Sequence, residues 1–174
     1  MAVNWDALEE AAFQGALQDL NSFSQVHGEE QFYGLIFWCE SVEIFIYMPT
    51  EQLLRNEAAA IHQHNLENSF QVDKSLADIM EENRWGATQY CVSDFISLDD
   101  YEVQIGSVTE EDELSDGFAE RYLELLCRVA LRIEASGALN AIQRTPDFRI
   151  ICKSSDHDDE ACEQVLAHVR ESLA

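Results

Sequence analysis

Residues 32–48 read FYGLIFWCESVEIFIYM, two runs of aromatic and β-branched side chains on either side of the polar pair Glu40-Ser41. Such side chains pack well on a pleated, half-buried surface, so the two runs predict a β-hairpin. The first run is apolar at nearly every position, which is typical of a strand covered on both faces, and only Glu43 interrupts the second. We therefore expect the hairpin to lie at the centre of a sheet, with helices packed against it.

Four amphipathic helices are predicted around the hairpin, because apolar residues recur there at three- and four-residue steps. Asn4 and Thr50 are placed to cap the first two helices, and Gly28 is expected to end the first in a left-handed conformation. The third helix has an apolar stripe broad enough to predict burial on more than one side. The predicted ranges are 4–26, 51–67, 114–135 and 157–173.

The rest of the chain carries weaker patterns. Residues 72–83 include a short helical pattern, and the Trp, Thr, Tyr and Val content of residues 84–92 favours a strand. Residues 101–105 fit a short strand or an extended edge, and residues 148–152 a short strand after Pro146. These elements predict an α+β fold in a single globular domain of residues 1–174, with a small mixed or antiparallel sheet centred on the hairpin and packed by about four helices.

The chain is strongly acidic. Its 174 residues include 34 Asp and Glu against 10 Lys and Arg, a formal net charge of −24. A field of that sign disfavours nucleic acid and anionic membranes as partners and attracts basic proteins. We therefore expect a basic protein partner. The sequence does not indicate the oligomeric state of the protein itself. A surface that is acidic only for solubility remains open as an alternative.

Five cysteines are scattered along the chain, and none forms a CxxC or Cys/His pair at metal-ligand spacing. An odd, scattered set is typical of reduced thiols in an intracellular protein. The first residues lack the basic and then apolar start of a signal peptide, and nowhere do 18 apolar residues run together. The expected location is the cytoplasm.

Motifs that carry chemistry are missing from the sequence. It contains no GxSxG, Walker or GxGxxG pattern. The run Asp156-His157-Asp158-Asp159-Glu160 offers carboxylates and an imidazole, but consecutive residues at a helix start point in different directions, so capping explains the run better than a metal site. His62 and His64 are two apart on a helix and face different ways. We expect no catalytic residues, no metal and no cofactor.

Two features fit a binding surface. One is the pair Arg84-Trp85, a guanidinium beside a large aromatic; its structural alternative is a core tryptophan flanked by an arginine that is paired with a carboxylate. The other is an acidic set whose alternative is a solvated loop. The acidic set comprises Asp99, Asp100, Glu102, Glu110, Glu111, Asp112, Glu113 and Asp116.

The order of these features resembles a bacterial family of short single-domain proteins of unknown function, some of which are considered immunity proteins of polymorphic toxin systems. The resemblance rests on the first helix, the hairpin, Arg84-Trp85 followed by Tyr90, the strand at residues 148–152 and the acidic helix start at residues 158–160. It implies a cytosolic immunity protein that neutralises a cognate toxin by occluding its active site. The alternatives are an acidic interaction or scaffold domain without a toxin partner and, more distantly, an enzyme that uses the terminal Asp/His run.

Overall fold

The computed structural model of the protein describes residues 3–40, 43–70, 73–86, 90–97 and 117–173, and for residues 90–97 it describes the backbone alone. Within these ranges the fold is α+β, as predicted.

In the described part of the chain, a four-stranded mixed sheet forms the middle layer. Strands β1 (Gln31–Glu40) and β2 (Glu43–Met48) pair antiparallel and confirm the predicted hairpin. Strand β3 (Tyr90–Ser97) pairs antiparallel with β2, and strand β4 (Gln143–Ser154) pairs parallel with β1. The strand order is therefore β3-β2-β1-β4, with the apolar strand β1 inside the sheet and β4 at one edge.

Helices α1 (Trp5–His27) and α2 (Glu51–Glu67) begin where their capping residues predict. The side-chain oxygen of Asn4 accepts a hydrogen bond from the Ala7 amide at 3.2 Å, and Thr50 caps Leu53 in the same way. The prediction for Gly28 is wrong, since its φ is −61°, in the right-handed region. A side chain does not fit there for a different reason: a Cβ atom on Gly28 would lie 2.8 Å from the carbonyl oxygen of Ser24.

Three further helices follow. Helix α3 (Leu76–Asn83) starts with a capping box between Ser75 and Asp78. Helix α4 (Phe118–Ser136) ends at the left-handed Gly137, and the part of its predicted range before Gly117 lies outside the described residues. A 3₁₀ turn (Ala138–Ala141) then leads into β4, and helix α5 (Asp159–Ser172) closes the described chain.

Both faces of β1 are buried, as predicted for a strand covered on two sides. Leu35, Phe37 and Cys39 alternate onto the face that meets α1, α4 and α5, and this face holds the main core. Tyr33 and Ile36 are fully buried on the opposite face, where α2 packs against β1. The hairpin thus forms the middle of three layers, and α4 is buried over as broad a stripe as its sequence predicts.

Two strand predictions are corrected. Arg84 and Trp85 form a turn after α3, so in the described part of the range 84–92 the strand starts at Tyr90, and residues 87–89 lie outside the described residues. Strand β4 begins at Gln143, before Pro146, and is longer than predicted. It accommodates the proline in a bulge: Phe32 pairs with Arg144 and Gly34 with Arg149, so one residue of β1 lies opposite four of β4. Proline fits there because a bulged edge strand needs no ladder hydrogen bond at that point.

Candidate interaction site at the edge of the sheet

The predicted acidic set lies outside the described residues. All eight of its members fall in residues 98–116, so the set remains a prediction. The two other predicted site residues, Arg84 and Trp85, are described. They form the centre of a polar and aromatic cluster on the α2 side of the sheet.

Arg84 is held by two carboxylates from distant parts of the chain. Its guanidinium lies 2.6 Å from Glu51 at the start of α2 and 2.8 Å from Asp147 in the β4 bulge. Burial opposes the charged form, but these two carboxylates outweigh it and hold the pKa of Arg84 above its usual value. Arg84 is therefore an arginine paired with carboxylates, which is the alternative to a binding residue that the sequence left open. Its two ion pairs connect the end of α3 to both α2 and β4.

Trp85 is only half-buried, and it lies across β1 rather than inside the main core. Its ring meets Tyr33 edge-on with 5.3 Å between centroids, and the Tyr33 hydroxyl donates a 2.6 Å hydrogen bond to the carbonyl oxygen of Arg84. The guanidinium of Arg84 also lies 4.4 Å above the Tyr33 ring. Gly34 leaves the space for this arrangement, since a Cβ atom at residue 34 would lie 3.0 Å from Cζ3 of Trp85. The turn is thus fixed on the sheet, with part of the tryptophan side chain accessible.

A groove of about 150 Å³ runs from Trp85 along the outer edge of β4. Residues 149–153 all line it, although successive side chains of a strand point to opposite faces. Five consecutive residues share one groove only when that groove follows the strand edge, where both faces and the backbone are accessible. The remaining lining residues come from α5, namely Asp159, Glu163 and Leu166.

The two walls of the groove carry charges of opposite sign, and within the described ranges these charges are unpaired. Arg149 is exposed, with its guanidinium 5.6 Å from the Trp85 ring, and Glu163 is exposed on α5. Neither side chain makes an ion pair with any residue in the described ranges. Between them Lys153 is paired with Asp159 at 3.0 Å. The groove therefore presents a cation beside an aromatic ring on one wall and an exposed carboxylate on the other.

Sequence reasoning missed this groove, although it left a signal. Three of the ten basic residues of an acidic chain, Arg144, Arg149 and Lys153, fall within ten positions of one strand. Such a local excess of cations marks a surface that differs from the rest. What the sequence did not reveal is that β4 pairs on one side only, among the described strands, and that α5 returns along its free edge.

Four of the five cysteines have described side chains, and all four lie in the core. Cys39, Cys127, Cys152 and Cys162 are free and buried, contributed by β1, α4, β4 and α5. Burial raises the pKa of Cys39 to about 12 and also raises the pKa of Cys162, while a hydrogen bond with Cys127 together with burial raises that of Cys152. Cys39, Cys152 and Cys162 are therefore protonated at neutral pH, which makes these three thiols poor nucleophiles and poor metal ligands.

The terminal Asp/His run acts in capping and pairing. Asp158 accepts the amide of Ala161 at 2.8 Å as the cap of α5, Asp159 pairs with Lys153, and His157 lies 3.2 Å from the Ser154 hydroxyl. His64 is exposed, and Asn68 donates to its backbone carbonyl. Within the described ranges no group of three His, Cys, Asp or Glu side chains is arranged to hold a metal ion. In the same part of the chain, every helix is too short or too polar to cross a membrane.

Comparisons of the chain with protein-family models, with characterised proteins and with solved structures gave no match. The interpretation of its function therefore depends on its own charges, groove and burial.

Proposed function

We propose that this protein is a cytosolic immunity protein, which binds a cognate antibacterial toxin and neutralises it by occluding the toxin's active site. The observation that carries the proposal is the distribution of charge. Six of the ten basic side chains are in ion pairs with carboxylates of the protein itself: Lys74, Arg84, Arg128, Arg132, Lys153 and Arg170. Most of the cations are thus engaged internally, and the excess of 24 negative charges is left to face a partner.

The pairing between α1 and α4 illustrates this internal use of cations. Glu9 binds both Arg128, at 2.7 Å, and Arg132, at 3.1 Å, and Arg132 also reaches Glu10 at 2.5 Å. The hydrogen bond from Arg132 lowers the pKa of Glu10, because it stabilises the charged carboxylate. These ion pairs join α1 to α4. Because Arg128 and Arg132 are engaged in them, they are less available to bind a ligand.

An acidic inhibitor suits a basic target. Enzymes that cut or modify nucleic acids present cationic faces to the phosphate backbone, and a protein of opposite charge is drawn to that face before contact. Charge complementarity across an interface also suppresses wrong partners. The proposal therefore assigns the toxin a basic active-site face, and it assigns the acidic residues of this protein the role of matching it.

Co-purification tests this function directly. The tagged protein is expressed with the product of the neighbouring upstream reading frame, and survival of the host and recovery of a stoichiometric complex are measured. We expect the upstream product to be toxic alone, and co-expression to restore growth. If the upstream product is harmless, or is toxic but never recovered with this protein, the immunity function is wrong and an acidic scaffold domain replaces it.

Two charge-reversed variants are compared in the same assay. Changing Glu110, Glu111, Asp112 and Glu113 to lysine is expected to weaken protection. The matched control changes four exposed glutamates scattered over the described surface to lysine. It alters the net charge by the same amount and is expected to weaken protection less; the four residues are Glu29, Glu81, Glu120 and Glu171.

A further inference from the structure

The outer edge of β4 is the part of the sheet best placed to accept an added strand. In the described part of the chain β4 pairs only with β1, and its other side opens into the groove. An unpaired edge presents a row of amide and carbonyl groups that an extended segment can match. The bulge at Pro146 interrupts this row, so the usable stretch is residues 149–153.

The side chains around this edge define what such a segment must carry. On the α5 wall the groove offers the exposed carboxylate of Glu163 and the apolar Leu166, while on the other wall it offers the cation of Arg149 beside Trp85. Side chains of an incoming strand alternate between these two walls. A complementary strand therefore has basic and apolar residues at every second position, facing α5, and acidic residues at the positions between them, facing Arg149.

From this geometry we infer that β4 binds an extended segment of a protein partner as an additional strand of the sheet, and that the segment carries Lys or Arg facing Glu163 and Asp or Glu facing Arg149. The inference rests on the proposed function, because it names how part of the toxin is held. Backbone hydrogen bonds to residues 149–153 supply the attachment, and the two oppositely charged walls supply the register, since a one-residue slip moves every charge to the wrong wall.

Two heptapeptides of identical composition test the inference on the intact protein. Acetylated and amidated KEVTKEV has lysine and valine at the odd positions and glutamate and threonine at the even ones. KTEVKVE carries all four charged residues at odd positions, so no register sets lysine against one wall and glutamate against the other. Each is titrated into the isotope-labelled protein, and amide shifts are followed by NMR. We expect KEVTKEV to bind roughly threefold more tightly, because KTEVKVE can form only one of the two exposed ion pairs, with the shifts centred on residues 149–153.

The variant Glu163→Lys is the decisive control. Its side chain is exposed, so the fold is expected to survive, and both walls then carry a cation, so the preference for KEVTKEV should be lost. A KEVTKEV peptide methylated on its internal amide nitrogens should lose binding, because it cannot pair with a strand edge. Equal binding of both heptapeptides by the unchanged protein, an unchanged preference in Glu163→Lys, or full binding of the methylated peptide would each overturn the inference.

A second copy of the chain is the competing occupant of the edge. Sedimentation velocity that detects a dimer, dissociated by Glu163→Lys, would assign the edge to self-association and contradict the inference. Since no toxin enters these measurements, their failure leaves the proposed function intact. Failure of the co-expression assay, in turn, leaves a peptide-binding edge in place.

Discussion

Trp85 lies directly over Gly34, and a single added methyl group at residue 34 would come within 3.0 Å of the tryptophan ring. This contact joins the central strand of the sheet to the turn after α3, and so fixes one end of the groove along β4. Gly34 also faces the backbone of Arg149, with a Cβ position 3.4 Å from its carbonyl oxygen. The glycine thus allows β1, β4 and Trp85 to meet closely.

The first prediction concerns this contact. Gly34→Ala should lower the free energy of unfolding by about 1–3 kcal/mol, because an extra methyl group in a well-packed site displaces its neighbours. Urea denaturation measures the change. In the double variant Gly34→Ala with Trp85→Leu the clashing ring is gone, so the alanine should cost less than it does alone. Equal costs in the two backgrounds would show that Trp85 does not contact residue 34.

The second prediction concerns the centre of the sheet. Phe37 is fully buried on β1, so Phe37→Ala should lower the free energy of unfolding by about 3–5 kcal/mol. Val26, with 76% of its surface exposed near the end of α1, provides the comparison, and Val26→Ala should change stability by less than about 0.5 kcal/mol. A denaturation midpoint that Phe37→Ala does not move would contradict a hairpin-centred core.

The third prediction follows from the buried thiols. Burial raises the pKa of Cys39 from 9.0 to about 12, so the native thiol stays neutral when the unfolded thiol has already ionised. The stability due to this group is fully present below pH 9 and declines between pH 9 and 12, by about 1.4 kcal/mol for each pH unit above 9. Unfolding free energies at pH 8 and pH 10 measure the decline.

Cys39→Ala isolates the contribution of that thiol, since other groups titrate in the same window. The variant should be less stable at pH 8 but should lose less stability than the unchanged protein on going to pH 10. Parallel declines in the two proteins would show that the Cys39 thiol ionises as easily in the native state as in the unfolded chain.

Local sequence was sufficient for much of the fold. The hairpin, the first two helices and their caps follow from residues within a few positions of each other, and Asn4 and Thr50 act as their positions predict. The broad apolar stripe of α4 likewise indicated the burial that the helix has. In each case the deciding contacts are at short range along the chain, where periodicity and capping preferences operate.

The turn at Arg84 and Trp85 could not be predicted in this way. A tryptophan followed by Thr, Tyr and Val favours a strand locally, yet the ring is placed by Tyr33 and Gly34, some fifty residues earlier, and Arg84 by Glu51 and Asp147. The reason for glycine at residue 28 also could not be predicted from local sequence. A side chain is excluded there by the carbonyl oxygen of Ser24, and this contact exists only once the end of the helix has folded.

The candidate groove depends still more on distant pairing. Its wall on β4 exists because β4 runs parallel to β1 at the sheet edge, and its other wall because α5 packs back on β4. Parallel pairing across more than a hundred residues leaves no periodic signal in the sequence. The acidic set at residues 99–116 is the opposite case: the sequence identifies it, and it lies outside the described residues.

The association rate with the toxin, measured at low and at physiological salt, tests the proposed role of the acidic residues most directly. Exposed charges are screened beyond about 8 Å at physiological ionic strength, so steered association should slow as salt rises while dissociation changes little. Reversing Glu110, Glu111, Asp112 and Glu113 to lysine should slow association by about one to two orders of magnitude, and reversing Glu29, Glu81, Glu120 and Glu171 should slow it much less. Equal slowing by both variants would mean that only net charge matters, and unchanged rates in both would contradict the account by showing that the acidity does not guide binding.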